Sequence, residues 1–507
     1  MLKNSETPHK LSLFSGVLLC CTCMVGSGWL FSSQLVAQNA GNYGFISWIV
    51  AAAIIIVISL CVSSVVTRYP QSGATTRMSA ISHNAMFGMT FAFANWFGVS
   101  VVIATEAQAT TEYLAPFIGD GIMQAGTLTW AGKGIGLVLL CLYLLVNWYG
   151  LKLLARVNNV ITVLKIFTPI FVIVILLVSH FDSTNFTQVS QDAFSTGSIF
   201  TAIVASGMVY AFNGFQVIAS FASEIEKPKK NIPLTMILSV LITLGFYLLL
   251  QLAFMGAMPH EMLANGWPSL NMNSPIVGLT LILGLNFLML LLLADSVIAP
   301  SAVGYTYLGT SSRMLLAMAK EKQAPTFISR NIHPKRGFST PAIMVNFIIA
   351  VLFLLQAENW AGLMVIVTML HLIGYMAAPI SMSALNPKTK LFGLMVFIII
   401  TILMLTVPSR DILLTNIILS ILSIGYLILQ GKSHIKANLL FASPPLIFLW
   451  LIYFCESMVL GGLLATGFFL LVTSRRYVEQ CRMHREKHLT AQQSTSPSKM
   501  INPQQMD

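Results

Sequence analysis

Lys165, Glu106, Asp295 and His371 are ionisable side chains set in apolar surroundings, within "VITVLKIF", "IATEAQATTEYL", "LLLADSVIAP" and "TMLHLIGY". Inside a bilayer such groups are costly, and by default they mark ion or substrate pathways. Two glycine-bearing stretches share this apolar setting. One is "CCTCMVGSGWLFS", with Gly26-Ser27-Gly28 near its middle; the other is "MVYAFNGFQVIASFASE", with Asn213-Gly214. Glycine costs a helix interior roughly 1 kcal/mol relative to alanine. Unwinding a helix in lipid frees N–H and C=O groups, each costing several kcal/mol if unsatisfied, so a lipid-facing break is excluded. Lining a polar cavity, the same groups become ligands. The positive N-terminus of a half-helix suits a carboxylate, and exposed carbonyls suit an ammonium. A zwitterion such as an α-amino acid fits such a pair. The bland alternative is that Gly26 and Gly28 only permit close helix packing.

The elements that must position these residues follow from composition. The 507-residue chain is 56% hydrophobic and 9% charged, against about 25% charged in soluble proteins, so it reads as an all-α polytopic membrane protein. Runs long enough to span, about 20 apolar residues, number fourteen: 11–39, 44–67, 86–115, 133–151, 156–180, 199–223, 232–257, 275–312, 341–356, 360–385, 391–407, 411–430, 437–455 and 457–474. With a cytoplasmic N-terminus, 25 of the 28 Lys and Arg fall in inside loops or tails; only Lys133 and Arg410 fall outside, and Lys165 within a span. That is the expected positive-inside bias, and it puts both termini in the cytoplasm. Twelve spans result if the last four short runs pair differently.

The net charge of +11 is thereby explained without nucleic acid. Cys20-Cys21-x-Cys23 has no matching second cluster and reads as small apolar residues, not a metal site. No Walker motif, HExxH or GxGxxG occurs, so neither an ATP-driven pump nor a metalloprotease is supported, and no cofactor is expected. The expected organisation is a cytoplasmic segment 1–10 with no cleavable signal, a transporter core 11–385, peripheral helices 386–474, and a polar tail 475–507 predicted to be disordered.

The breaks lie in the first and sixth spans. Glycine-interrupted spans in corresponding positions of two halves point to a secondary transporter's binding site. If spans one to five and six to ten are inverted repeats, the breaks face each other at the midplane. "VGSGWLF" with "QNAG", "RYPQSGATTRMSAISHN", "AFNGFQVIASFASEIEKPKKNIP" and "TSSRMLLAMAKEKQAP" together resemble the amino acid–polyamine–organocation (APC) permeases. The "GSGWLF" form, "ATEA" and the span count are most similar to the branch holding aspartate:proton symporters. The resemblance covers roughly residues 10–385. It implies a leucine-transporter-type fold of 5+5 inverted repeats, 11–180 and 199–385. It also implies substrate held by main chain at Gly26, Ser27 and Gly28 and around Phe212, Asn213 and Gly214.

Lys165 sits about nine residues into its span, roughly 13–14 Å along a helix, deeper than snorkelling reaches. Desolvation disfavours its charge, so it could exchange a proton. Its "VNNVITVLK" context resembles the fifth-span lysine that some APC transporters use in place of sodium, bridging the broken first span to the eighth. The alternative is a permanently charged lysine paired with a carboxylate. Glu106 could relay protons or contact a substrate ammonium; charged, it would repel an aspartate. Glu112 reads as closer to the outer surface and solvated. Asp295 needs a partner, for which Lys165 is a candidate. Thr306, Thr310 and Ser311 could serve a cation or bond their own helix. His371 is a coupling or packing residue. Trp29, Tyr210, Phe212 and Phe215 could line or gate the pocket. Glu224 and Glu226 could latch to Arg68, Arg77 or Arg313.

The leading expectation is a secondary transporter, not an enzyme, importing an amino acid by proton symport across a cell membrane, with a bacterial inner membrane as the best fit. An amino acid/product exchanger and a transporter-like nutrient sensor are the alternatives. Main-chain recognition reads only groups common to all α-amino acids, so the particular substrate stays open.

Overall fold

The computed structural model describes residues 10–70, 74–119, 121–149, 151–332, 339–430 and 432–495, with backbone alone for 74, 149, 151–163, 432–436 and 487–495. The expected segment 1–10, except its last residue, and positions 496–507 lie outside the described residues.

The described chain is helical almost throughout. In order come α1 Leu13–Met24, α2 Gly28–Ala40, α3 Gly44–Val66, α4 Ala74–Ser82, α5 Ala85–Ile118, α6 Trp130–Tyr149 and α7 Leu151–Ser179. Next are the short α8 Thr184–Thr187, α9 Ser198–Ala205, α10 Met208–Ala211 and α11 Val217–Ser220, then α12 Pro228–Gly256, α13 Pro275–Ile282 and α14 Asn286–Lys320. The last are α15 Thr340–Gln356, α16 Trp360–Tyr375, α17 Ala377–Leu385, α18 Lys390–Met404, α19 Ser409–Leu429, α20 Lys432–Tyr453, α21 Met458–Val472 and α22 Arg475–Thr495. One two-residue hairpin, Met123–Gln124 with Thr127–Leu128, interrupts them.

Eight helices among the described residues are long and apolar enough to cross a bilayer, nine if one bent pair is counted as a span. Residues 13–24, 164–179, 340–356 and 437–453 form shorter apolar helices. The architecture is that of an all-helical, multi-pass membrane protein.

α5 is the axis of the fold. Asn84 starts it by accepting the Phe87 N–H at 2.9 Å, an N-cap that satisfies one of four orphan donors. Nearly every residue from Met86 to Tyr113 is buried, and α4, α6, α14, α15, α16 and α20 all pack on it. A helix buried on every side belongs to the protein interior rather than to a lipid face.

The expected breaks are present. α1 stops at Met24 and α2 starts at Gly28. The segment 198–220 is more fragmented than one Asn213-Gly214 kink predicts. It breaks first at Ser206-Gly207, where Gly207 has φ +73°, and again across 212–216, where Gly214 has φ +157°. Both are conformations glycine adopts without a Cβ penalty.

The structure departs from expectation after residue 474. The predicted disordered tail forms α22 over 475–495. Arg475 and Glu479 pair one turn apart, and the helix carries a small packing face. Cys481 is buried, and Tyr477 lies against the rings of His83, Phe87 and Phe441. Average polarity over the tail hides that face.

The expected carboxylate latch is divided. Arg77 pairs with Glu321, Arg68 donates to the Leu385 carbonyl, and Arg313 interacts with the Glu224 charge. The backbone around Glu224 instead holds the N-terminal segment, through Leu11 N–H to Glu224 O at 2.8 Å and Glu226 N–H to Leu11 O at 2.9 Å.

His83 stands where α22 meets the connection between α4 and α5. Its Nε2–H donates to the Val472 carbonyl at 2.9 Å, and Ser82 Oγ lies 2.8 Å from Nδ1. Burial pushes its pKa down from 6.5 to about 4, opposed by the Val472 carbonyl and aided by the Arg482 charge. The undocked state therefore binds more protons between pH 6.5 and 4, so docking weakens as pH falls through that window and is constant above it. A spin label on α22 is expected to gain mobility as pH drops from 7 to 5 and to stay fixed from 7 to 8. His83→Asn should flatten the response.

Candidate functional site

The first break leaves main-chain groups unpaired inside the protein, where each must find a partner. Three helices supply them. From α5, Glu106 accepts the Ser27 N–H at 3.0 Å through Oε2. From α7, Lys165 Nζ donates to the Thr22 carbonyl at 2.8 Å. From α12, Tyr247 Oη donates to the Met24 carbonyl at 3.3 Å. One gap in a helix thus holds a carboxyl group at its N–H side and a lysine amine at its C=O side, the placement that the partial charges of helix ends favour.

Glu106 is itself held. Tyr210 Oη donates to its Oε1 at 2.7 Å and lies 3.2 Å from Ser27 Oγ. The Trp360 indole N–H reaches the same hydroxyl at 2.9 Å. A Cβ on Gly26 would sit 2.9 Å from Glu106 Oε1, so glycine there leaves room for the carboxylate. The close approach at Gly26 is the packing alternative for these glycines.

The second break abuts the first. A Cβ on Gly214 would meet Met24 Cγ at 2.8 Å and Met24 N at 2.9 Å, and Ala211 Cα lies 3.6 Å from the Cβ position of Gly28. The Asn213 carbonyl accepts Tyr307 Oη at 3.2 Å. Its side-chain Oδ1 accepts Gln216 Nε2 at 3.2 Å and Tyr375 Oη at 3.3 Å. His371 Nδ1 donates to the Val367 carbonyl at 2.8 Å, which leaves Nε2 to accept the Asn213 amide at 3.2 Å. A neutral imidazole satisfies both contacts. Below this network lies a cavity of about 20 Å³ lined in part by Thr75, Gln216, Tyr307 and Thr310.

The remaining sequence candidates separate. Asp295 is buried, and the Lys165 charge and the Trp29 indole both act on its carboxylate, the indole outside strict hydrogen-bond geometry; Lys165 also interacts with Glu106 through charge. Thr306 and Ser311 bond their own helix at the Ala302 and Leu308 carbonyls. Phe212 packs edge-on to Trp48 and Tyr247, and Phe215 beside Tyr375.

Glu112 is the clearest departure from the sequence reading. It is buried, not solvated at a surface, and its Oε1 accepts both Gln108 Nε2 and the Trp360 N–H at 2.7 Å. Trp360 and Tyr247 were not among the sequence candidates. Both are aromatic residues distant in sequence from either break, and no local pattern distinguishes them.

Comparison with known proteins gives a consistent picture. A family model described as "Amino acid permease" matches residues 11–455. The chain is 34% identical over 394 residues to the glutamate/serine transporter AimA of Bacillus subtilis (strain 168), covering 76% of this chain and 73% of that one. It is 30% identical over 393 residues to the aspartate-proton symporter of the same organism, covering 77% and 75%. A human protein, the large neutral amino acids transporter small subunit 2, is 24% identical over 365 residues, covering 69% and 64%.

Close contact between the breaks makes Gly214 intolerant of a side chain. Gly214→Ala is expected to destabilise the protein by about 1–3 kcal/mol, as overpacking does. Gly425, whose Cβ would meet nothing within 4 Å, serves as control: Gly425→Ala should not lower stability. Thermal unfolding in detergent measures both.

Proposed function

Because the chain belongs to the amino acid permease family of the APC superfamily, we propose that it imports an amino acid by proton symport. Its family and relatives are transporters, not enzymes. The proposal takes fourteen spans with both termini cytoplasmic, the first ten forming two inverted repeats of five and the last four lying at the periphery. The membrane is a bacterial inner membrane.

One juxtaposition supports this reading. The main chain of the first break already holds a carboxylate, from Glu106, and an ammonium, from Lys165. These are the two charged groups every α-amino acid carries. Substrate would lie against Gly26, Ser27 and Gly28 and against Tyr210, Phe212, Asn213 and Gly214. Its α-carboxylate would compete with Glu106 for the Ser27 N–H, so the two cannot both be charged and bound there.

Coupling follows from that competition. A proton on Glu106 removes the charge that anchors it to Ser27, and the substrate carboxylate takes the freed donor. Proton and substrate then favour each other's binding, the linkage a symporter needs. Lys165 carries the second exchange: losing its proton removes the charge that strengthens its bond to the Thr22 carbonyl, loosening the break toward the inward-open form. Asp295 is the counter-charge within reach of Lys165. His371 acts through Asn213, holding the second break in register.

Proteoliposome uptake tests the reading. Substrate should accumulate in empty vesicles when the outside is acidic, and collapsing the pH gradient should abolish accumulation. Glu106→Gln should keep binding but flatten its pH dependence. Lys165→Ala should lower accumulation by about tenfold or more, the scale of a lost charge-assisted hydrogen bond. Flux that appears only with substrate preloaded inside would make the protein an exchanger. Competition by the twenty amino acids at two pH values identifies the cargo.

A further inference from the structure

We infer that Trp360 is the extracellular lid of the substrate site and that Glu112 is the residue that positions it. The inference rests on the transport reading above, which supplies the orientation and the cargo.

Trp360 is the first residue of α16 and is 1% exposed. Two residues earlier, Glu358 is exposed to solvent. Two residues of chain reach at most about 7 Å, so a single side-chain layer separates the outside from whatever Trp360 covers. What it covers is the first break. Its indole N–H bonds Ser27 Oγ at 2.9 Å, and its ring meets Tyr210 edge-on at 5.5 Å. Phe31, one turn into α2, stacks flat on it at 4.5 Å and 10°, and Tyr113 closes on Phe31 edge-on at 5.0 Å. A molecule entering from this face must move the Trp360 ring to reach the Ser27 N–H.

The lid has one specific handle. Asn359 caps α16 by accepting the Gly362 N–H, which leaves the Trp360 N–H as an orphan donor of the helix start. That donor goes to Glu112 Oε1 at 2.7 Å, where an acceptor carrying charge is favoured by the helix dipole. Gln108, one turn back on α5, bonds the same oxygen at 2.7 Å and fixes its direction. Glu112 and Glu106 stand six residues apart on one buried helix. One holds the lid and the other holds the floor of the same site, so closure over the substrate is referred to a single rigid element.

The test separates lid from proton carrier. In proteoliposomes with wild-type uptake established, Trp360→Phe keeps the ring stack and loses the bond to Ser27. It should raise KM about fivefold, as loss of one hydrogen bond does, and speed release of bound substrate to the outside, with kcat little changed. Glu112→Ala should do the same, and Glu112→Gln, which retains an acceptor oxygen, should restore KM to within about twofold of wild type. Neither Glu112 variant should alter the pH dependence of uptake. Wild-type KM and release rate in Trp360→Phe would overturn the inference, as would a Glu112→Gln variant with the flattened pH profile expected of Glu106→Gln. If Glu112→Ala does not reach the membrane, Trp360→Phe decides alone. Absence of any flux in the wild type would sink the transport reading instead.

Discussion

A peptide group without a partner is intolerable inside a membrane protein, and the break after Met24 leaves three, at Thr22, Met24 and Ser27, that the helix itself does not pair. The Ser27 N–H, the Thr22 carbonyl and the Met24 carbonyl are satisfied by Glu106, Lys165 and Tyr247. These side chains come from α5, α7 and α12, so the gap ties three helices to one point. Each unsatisfied group would cost several kcal/mol in hydrocarbon. The broken helix is therefore held open by its surroundings, and those surroundings are organised by what the break demands.

The charges of those partners matter as much as their positions. An N-terminal helix end attracts an anion and a C-terminal end a cation. The protein places one of each and leaves no further strong cation nearby: among the described buried residues, Lys165 is the sole Lys or Arg.

Rigidity is concentrated in the helix that reaches into the gap. α5 is buried along nearly all its length and carries both Glu106 and Glu112, roughly 9 Å apart along the axis. The interrupted elements are short: the fragments Ser198–Ala205, Met208–Ala211 and Val217–Ser220, and the three-residue connection leading to Trp360. Gly214 presses against Met24, so movement at one break is transmitted to the other by steric contact. The hydrogen bonds that Asn213 makes with His371, Tyr375, Gln216 and Tyr307 hold that fragment in place without charge.

Much of this was legible in the residues themselves. Apolar runs of about the bilayer's thickness gave the helical, membrane-spanning class, because only helices and closed barrels satisfy their peptide groups there and barrel strands are shorter and alternate. Glycine inside those runs pointed to both breaks, although Gly88, Gly98, Gly304 and Gly309 sit within unbroken helices where they allow close packing. Costly charges in apolar sequence singled out Glu106 and Lys165. What residue order could not give was partnership. Glu112 looks superficial by its distance from a span's end, yet Trp360, some 250 positions later, lies against it. Asp295 looks destined for a partner, and only packing brings the Lys165 charge and the Trp29 indole to it. The tail looks disordered by composition, yet α22 finds a packing surface on His83 and Phe441. Periodicity and transfer cost are properties of a segment and its solvent, so sequence alone fixes them. A hydrogen bond between distant helices depends on how those helices pack, and only the tertiary structure decides that.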